Sequence, residues 1–288
     1  DSMETVAYYN GKISEIDDMM IPMTDRGFTF GDGVYDATMA RNQKIFALDE
    51  HLERFWRSMA AVMITPDFTR EELTNILNDL LTNVTGEAYM IYWQVTRGTG
   101  RRSHSFPLDA TPNLAVMITP MSLDRGKQER PYRLRTELDI RSGLTHVKTI
   151  NLLPNVLAAQ RAMQESVDET VFYRMTENGD TRVTEGSKTN VHMIKAGKLI
   201  TAPTDKLILP GIARQHLLQA ARSLGMPVEE RAFTVAELKT ADEVFITSST
   251  MMAGRVVSID GESVGQRDEA HFIPLRTKLV DEWYAETE

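Results

Sequence analysis

Apolar residues in this chain come in short runs, each closed after a few positions by Gly, Pro, Asn or a charged cluster. No run approaches the roughly 18 uninterrupted apolar residues that a membrane span needs. The segments must therefore bury their apolar sides against one another. The stretch "VAYYNGKI" places an Asn-Gly turn between two short strands, which is a hairpin signal. In "KIFALDEHLERFWRSMAAVM" the period changes from strand to helix at Asp49, the expected N-cap, and Leu52, Phe55, Met59 and Val62 then fall on one face. "TREELTNILNDLLTNV" repeats that period through Leu73, Ile76, Leu77, Leu80 and Leu81, while "EAYMIYWQVTRG" and "PNLAVMITPM" read as buried strands. Hairpins and helices in runs predict α+β packing.

From 121 to 131 the chain turns polar, "MSLDRGKQERP", with no periodic apolar pattern. This is the expected interdomain linker, between a smaller α+β domain over 1–120 and a larger domain over 132–288. The second part opens with a strand at "YRLRTEL", followed by Lys148 and a helix in "LPNVLAAQRAMQES". Strands at "ETVFYRM" and "TNVHMIKAGKLITA", a helix over 212–224, a strand at "EVFITSS" and a terminal helix near "PLRTKLVDEWYAE" complete it. At 288 residues, either domain is long enough to bury a real core.

Charge and composition remove several classes of function. With 32 basic and 41 acidic residues, the net charge of −9 repels a nucleic-acid backbone, so no nucleic-acid or membrane partner is expected. The absence of cysteine excludes disulfides, thiol nucleophiles and thiolate-bound metals. The six histidines are scattered without H-x-x-x-H spacing, so no metal site is expected. "DSMETVAYYNGK" lacks the basic and then apolar regions of a secretory signal, and a cytoplasmic enzyme fits best.

Chemistry centres on "LTHVKTINLLPNVLAAQ", where Lys148 stands just ahead of an apolar run. Burial penalises an ammonium and brings the amine toward nucleophilic, Schiff-base chemistry, although a lysine at a strand end can equally snorkel to water. An enzyme that depends on lysine, without metal or thiol, commonly borrows an electron sink, and pyridoxal phosphate is the usual one. That cofactor needs an amine, an anion beside its ring nitrogen, and donors for a dianionic phosphate. In "LILPGIARQHLLQAARSLG" Gly211 permits close approach, and the Ile212 and Ala213 amides open an amphipathic helix whose N-terminus favours phosphate. The strand "FITSSTMM" ends in hydroxyls, and Glu185 in "RVTEGSKTNVHMI" sits at an expected sharp bend, Thr184-Glu185-Gly186, between apolar strands.

Taken in order, Arg54 in "LDEHLERF", Lys148, Glu185, Gly211 and Ser249 resemble the fold-type IV pyridoxal phosphate enzymes. Within that group "TDRGFTFGDGVYD" and "VTRGTGRRSHSFP" are most similar to bacterial D-amino acid aminotransferases. The resemblance implies a two-domain α+β fold and a homodimer. It implies transamination of D-amino acids, of the D-alanine plus 2-oxoglutarate type, with amino acids and 2-keto acids as substrates. Lys148 would hold pyridoxal 5'-phosphate as a Schiff base and move the Cα proton. Arg54, the Ile212 and Ala213 amides and Ser249 would bind its phosphate, Glu185 would pair with the ring nitrogen, and Leu209 would pack behind the ring. Tyr35, Arg102 and His104 would hold the substrate α-carboxylate, the last two reaching over from the neighbouring subunit.

The pattern departs from the family at Lys188, where small polar residues are common, and at His192, which replaces a frequent aromatic; His51 matches a family position near the active site. A branched-chain L-aminotransferase or an aminodeoxychorismate lyase would share the scaffold, and Arg102 with His104 favours the D-specific reading. A binding protein that kept the scaffold to hold a phosphorylated ligand would not need both Lys148 and Glu185.

Overall fold

The computed structural model describes residues 2–124 and 129–288, so residues 125–128 of the expected linker lie outside the described residues. The chain divides into two compact units, one of Asp1–Leu123, Val147–Asn151 and Ala285–Glu288, the other of Asp124–His146 and Leu152–Tyr284. The division is not a single cut, and Lys148 groups with the first unit. No helix among the described residues is long and apolar enough to cross a membrane.

In the first unit β1 (Val6–Tyr9) and β2 (Lys12–Ser14) form the expected hairpin, with Asn10 and Gly11 both at positive φ as its tight turn requires. Then follow α1 (Arg26–Phe30), β3 (Gly33–Arg41), β4 (Lys44–Ile45), α2 (Leu48–Ala61), α3 (Arg70–Leu81), β5 (Ala88–Thr96) and β6 (Asn113–Met121). The strands make one six-stranded sheet in the order β2-β1-β6-β5-β3-β4, every neighbouring pair antiparallel. Leu52, Phe55 and Met59 of α2 and Leu73, Leu77, Leu80 and Leu81 of α3 are buried in one core with Ile91, Trp93 and Val116 from the sheet. Asp49 is not the cap of α2. The chain turns at Ala47, in the left-handed region, and Asp49 lies inside the first turn, where its charge still favours the helix dipole. α3 is capped reciprocally by Thr69 and Glu72.

The second unit contains β7 (Tyr132–Leu138), α4 (Leu153–Gln164), β8 (Glu169–Met175), β9 (Thr181–Gly186), β10 (Asn190–Lys195) and β11 (Lys198–Thr201). It continues through α5 (Ile212–Ser223), β12 (Val228–Glu230), α6 (Val235–Thr240), β13 (Glu243–Ser248), β14 (Met252–Ile259), β15 (Glu262–Ser263) and α7 (Glu269–Glu286). Its nine strands form a mixed sheet ordered β12-β11-β10-β13-β14-β7-β8-β9, with β15 on β14; the β11–β12, β14–β7 and β7–β8 pairs are parallel. The expected "TNVHMIKAGKLITA" strand is a hairpin of β10 and β11, turned by Ala196 and Gly197 at positive φ. Its core joins Leu134, Val171, Val183, Val191, Met193, Ile246 and Val256.

Thr184-Glu185-Gly186 is not the bend the sequence predicts. These residues end β9, paired to β8 through Gly186 and Val171, and the bend follows at Ser187 and Lys188. Glu169 of β8 organises it: its carboxylate accepts hydrogen bonds from the Ser187 hydroxyl, from Lys188 N–H at 3.2 Å and from Thr189 Oγ1 at 3.0 Å. A side chain at Gly186 would collide with this arrangement, its Cβ falling 2.1 Å from Thr189 Oγ1 and 2.8 Å from Glu169 Oε2.

Candidate active site

In the first unit the segment Val147–Asn151 runs beside the start of β3. Tyr35 N–H donates to the Lys148 carbonyl at 2.9 Å and Ile150 N–H to the Gly33 carbonyl at 3.1 Å, while Val147 anchors the segment in the core. This pairing brings the half-buried Lys148 to Tyr35: its Nζ donates to the phenol oxygen at 3.2 Å and lies 4.3 Å from the ring centre. Tyr35 is itself stacked on Tyr92 at 5.3 Å. The amine at the edge of the core is therefore held by main-chain geometry and directed at a hydroxyl, not extended into solvent.

One residue further along β3, Asp36 is fully buried and takes the Arg54 guanidinium in a two-pronged grip, Nε at 3.0 Å and Nη2 at 2.7 Å. His51 Nδ1 lies 2.7 Å from the same carboxylate. Burial opposes ionisation of Asp36, but Arg54 and His51 overcome it and hold the carboxyl well below the usual range. Burial also depresses His51, so at neutral pH the ring is neutral, with Nδ1–H donating to Asp36; its Nε2 is buried with no hydrogen-bond partner among the described residues. Arg54 is thus a rigid, buried cation on α2 rather than a mobile surface arginine.

Arg102 and His104 lie on the exposed stretch after β5. The Arg102 guanidinium sits 4.7 Å from the Phe30 ring centre, and the His104 ring is 5.2 Å from the same ring. An aromatic face thus gathers the two residues expected to grip a carboxylate.

In the second unit Glu185 is buried and its carboxylate is fully engaged. Oε1 accepts from Arg141 Nη1 at 2.8 Å, and Oε2 accepts from Asn190 Nδ2 and Leu209 N–H, each at 3.0 Å. Arg141 is shared, since it also grips Asp139 through Nε at 3.0 Å and Nη2 at 2.8 Å, while Arg174 approaches Asp139 only to 3.6 Å. Burial pushes the Glu185 carboxyl up to about 7, against the pull of Arg141, because one guanidinium serves two buried carboxylates. Asp139, which has the two-pronged contact, stays below the ordinary aspartate range despite burial. A further positive group at Glu185 would complete the local charge balance.

Asn190 links the remaining elements. Its amide also donates to the Leu209 carbonyl at 3.2 Å, and its Oδ1 lies 2.2 Å from where a Cβ of Gly211 would stand, so only glycine fits there. Gly211 caps α5, whose first residues Ile212 and Ala213 are buried and carry amides without an intrahelical acceptor. Across the sheet Asn190 pairs with Thr247, directly ahead of the turn bearing Ser249. Glu185, Leu209 and the start of α5 are thereby gathered around one side chain, on a strand whose neighbour β13 leads into the turn bearing Ser249.

His192 is also buried. Nδ1 meets Thr201 Oγ1 at 2.9 Å and Nε2 meets Thr247 Oγ1 at 2.7 Å, and burial depresses its pKa so far that it is a neutral strut across three strands, not a cation. Lys188 is exposed on the bend. Arg141, Asn190 and Asp36 carry the electrostatics of both clusters, yet the sequence offers no local signal for them. Each is recognised only through a partner the fold brings to it.

A family model described as amino-transferase class IV matches residues 33–259. The D-alanine aminotransferase of Bacillus licheniformis is 36% identical over 257 residues, 89% of this chain and 89% of that protein. That of Staphylococcus haemolyticus is 37% identical over 265 residues, 91% of each. Among solved structures, a branched-chain aminotransferase from Thermoproteus uzoniensis superposes with a TM-score of 0.84 at 22% identity, covering 95% of this chain and 93% of that one. The branched-chain amino acid aminotransferase of Escherichia coli gives 0.85 at 21%, covering 99% and 96%. At such identities the structures speak for the fold alone, and the fold is that of the fold-type IV aminotransferases. With a family match over most of its length and relatives above a third identical, the chain belongs to the class IV aminotransferases.

Proposed function

We propose that this chain is a pyridoxal 5'-phosphate-dependent aminotransferase of D-amino acids, exchanging the amino group of a donor such as D-alanine with a 2-keto acid such as 2-oxoglutarate. The observation that carries this reading is the Lys148 amine, fixed by strand pairing 3.2 Å from the Tyr35 hydroxyl. The similarity to D-alanine aminotransferases, over 89% and 91% of this chain, supports the choice of hand.

The donor set has the chemistry such a cofactor needs. It offers an amine at Lys148, a buried and undercompensated carboxylate at Glu185, and helix N-terminal amides at Ile212 and Ala213 beside a glycine that leaves no room for a Cβ. When bound, the cofactor supplies an electron sink for the pair left at the substrate Cα. Glu185 would pair with the ring nitrogen, with Arg141 and Asn190 fixing the direction of its carboxylate. Leu209 would pack behind the ring, while its N–H fixes Glu185. Arg54, pre-set by Asp36, and Ser249 join the α5 amides on the phosphate. Lys148 would take the proton from Cα as base and deliver it as acid to the cofactor's C4′ rather than back to Cα, and Tyr35 orients the amine through its hydroxyl. Tyr35, Arg102 and His104 hold the α-carboxylate, Arg102 through its planar fork. The site is completed in a homodimer, where Arg102 and His104 serve the neighbouring subunit. The larger, C-terminal part over 132–288 carries the groups for the ring and, apart from Arg54, those for the phosphate, and a cytoplasmic setting fits such an enzyme.

The test is turnover. Purified protein supplied with pyridoxal phosphate and 2-oxoglutarate is given D-alanine, L-alanine or L-leucine, and keto acid release is followed. Pyruvate from D-alanine alone is the expected result. Turnover of only the L-amino acids, or none, overturns the reading.

A further inference from the structure

We infer that Arg26 is a positioning residue that shapes the loop presenting Arg102 and His104 to the substrate carboxylate; this rests on the substrate-binding reading given above. Arg26 opens α1 and is almost wholly buried, an uncommon place for a guanidinium that touches none of the expected reacting groups. Its hydrogen bonds go to the main chain of the loop: Nη1 donates to the Ser103 carbonyl at 2.5 Å and the Ser105 carbonyl at 3.5 Å, and Nη2 to the His104 carbonyl at 3.1 Å. Three successive carbonyls converge on one planar cation, which fixes the loop's curvature at the residues whose side chains matter.

The clamp is itself anchored. Asp32 Oδ2 accepts from Arg26 Nε and from Arg97 Nε, both at 2.8 Å, and Arg97 adds Nη2 to Asp32 Oδ1 at 3.0 Å. Arg97 holds the far end of the loop, lying 3.4 Å from the Phe106 ring centre, and ties it to the turn that follows α2 through the Val62 and Met63 carbonyls. Phe30 is the shared platform, with Arg26 at 4.8 Å, Arg102 at 4.7 Å and His104 at 5.2 Å from its ring centre. Lysine could keep the charge at 26 but has no fork to serve three carbonyls and Asp32 at once. The loop would then sample geometries in which Arg102 and His104 miss the carboxylate, which raises KM for the amino acid.

The test is steady-state kinetics on holoenzyme with D-alanine and 2-oxoglutarate, for Arg26→Lys, Arg102→Ala and the double variant. Arg26→Lys raises KM for D-alanine about tenfold with kcat within about twofold, whereas mere loss of folded enzyme would lower kcat and leave KM alone. In the Arg102→Ala background the same substitution adds less than about twofold, because two changes acting through one contact are not additive. If Arg102→Ala leaves KM unchanged, the substrate-contact assignment fails and takes this inference with it. If Arg102→Ala raises KM while Arg26→Lys does not, or if the two effects multiply fully, the inference alone is overturned. Should Arg26→Lys not fold, Phe30→Leu replaces it at the half-buried platform, with the same expected KM rise and non-additivity and the same refuting outcomes.

Discussion

Replacing Arg141 with methionine removes the one cation shared by Asp139 and Glu185 while leaving an unbranched apolar side chain near Phe172, whose ring centre is 4.6 Å from the guanidinium. Deleting one partner of a buried ion pair costs about 3–5 kcal/mol, since the other charge is left without compensation. The low end applies here: Asp139 keeps the Thr184 hydroxyl at 2.9 Å, and Glu185 keeps Asn190 and the Leu209 N–H. In a domain of this size each kcal/mol moves Tm by about 2–4 °C, so the variant should melt roughly 6–12 °C lower at pH 8.5. The loss has a pH signature. In the wild type the depressed Asp139 gives stability above the unfolded carboxylate pKa, and that stability is lost only as pH falls through the lower folded value. In the variant both carboxyls titrate above their unfolded values, Glu185 above about 7, so stability present in acid is lost as pH rises through those raised values. The deficit should therefore be partial at pH 5.5, where the variant already lacks the Asp139 contribution, and full only at pH 8.5, where Glu185 must also ionise without its cation, read by circular dichroism melts of cofactor-free protein. A drop under about 2 °C at pH 8.5, or one equal at both pH values, refutes the shared-cation account.

Gly186→Ala should destabilise by about 2–3 kcal/mol, seen as a lower denaturant midpoint, because the added Cβ meets both Thr189 and Glu169; an unchanged midpoint contradicts the close packing at that bend. His192→Phe should cost about 2 kcal/mol above pH 7, from two threonine hydroxyls left without their partner. Because the folded ring resists protonation, wild-type stability falls as pH drops below about 6.5 and the gap to the variant closes there; a gap that widens in acid means the histidine is charged when folded.

Segments with strong internal period were legible from the residues alone: the apolar stripes of α2 and α3 occupy the core as their spacing predicts. Boundaries set by a neighbour were not. Thr-Glu-Gly reads as a turn, but β8 supplies a pairing partner that extends β9 through Gly186, and the bend moves to the next residues. Asp49 resembles a cap, yet the backbone reverses at Ala47 and the helix begins before it. Lys148 could be found because an amine beside an apolar run is chemically unusual. Its hold on Tyr35, 113 residues away, could not. The same holds for Arg141 and Glu185, separated by 44 residues, and for Asp36 and Arg54, separated by 18; a buried charge is visible in sequence only when its partner is known.

The most direct measurement is reductive trapping. Protein incubated with pyridoxal phosphate is treated with borohydride, digested, and its peptides are mapped by mass. A phosphopyridoxyl group on Lys148 and on no other lysine, absent from Lys148→Ala, is the predicted outcome; a label on a different lysine, or no label, contradicts the assignment of this amine as the site of chemistry.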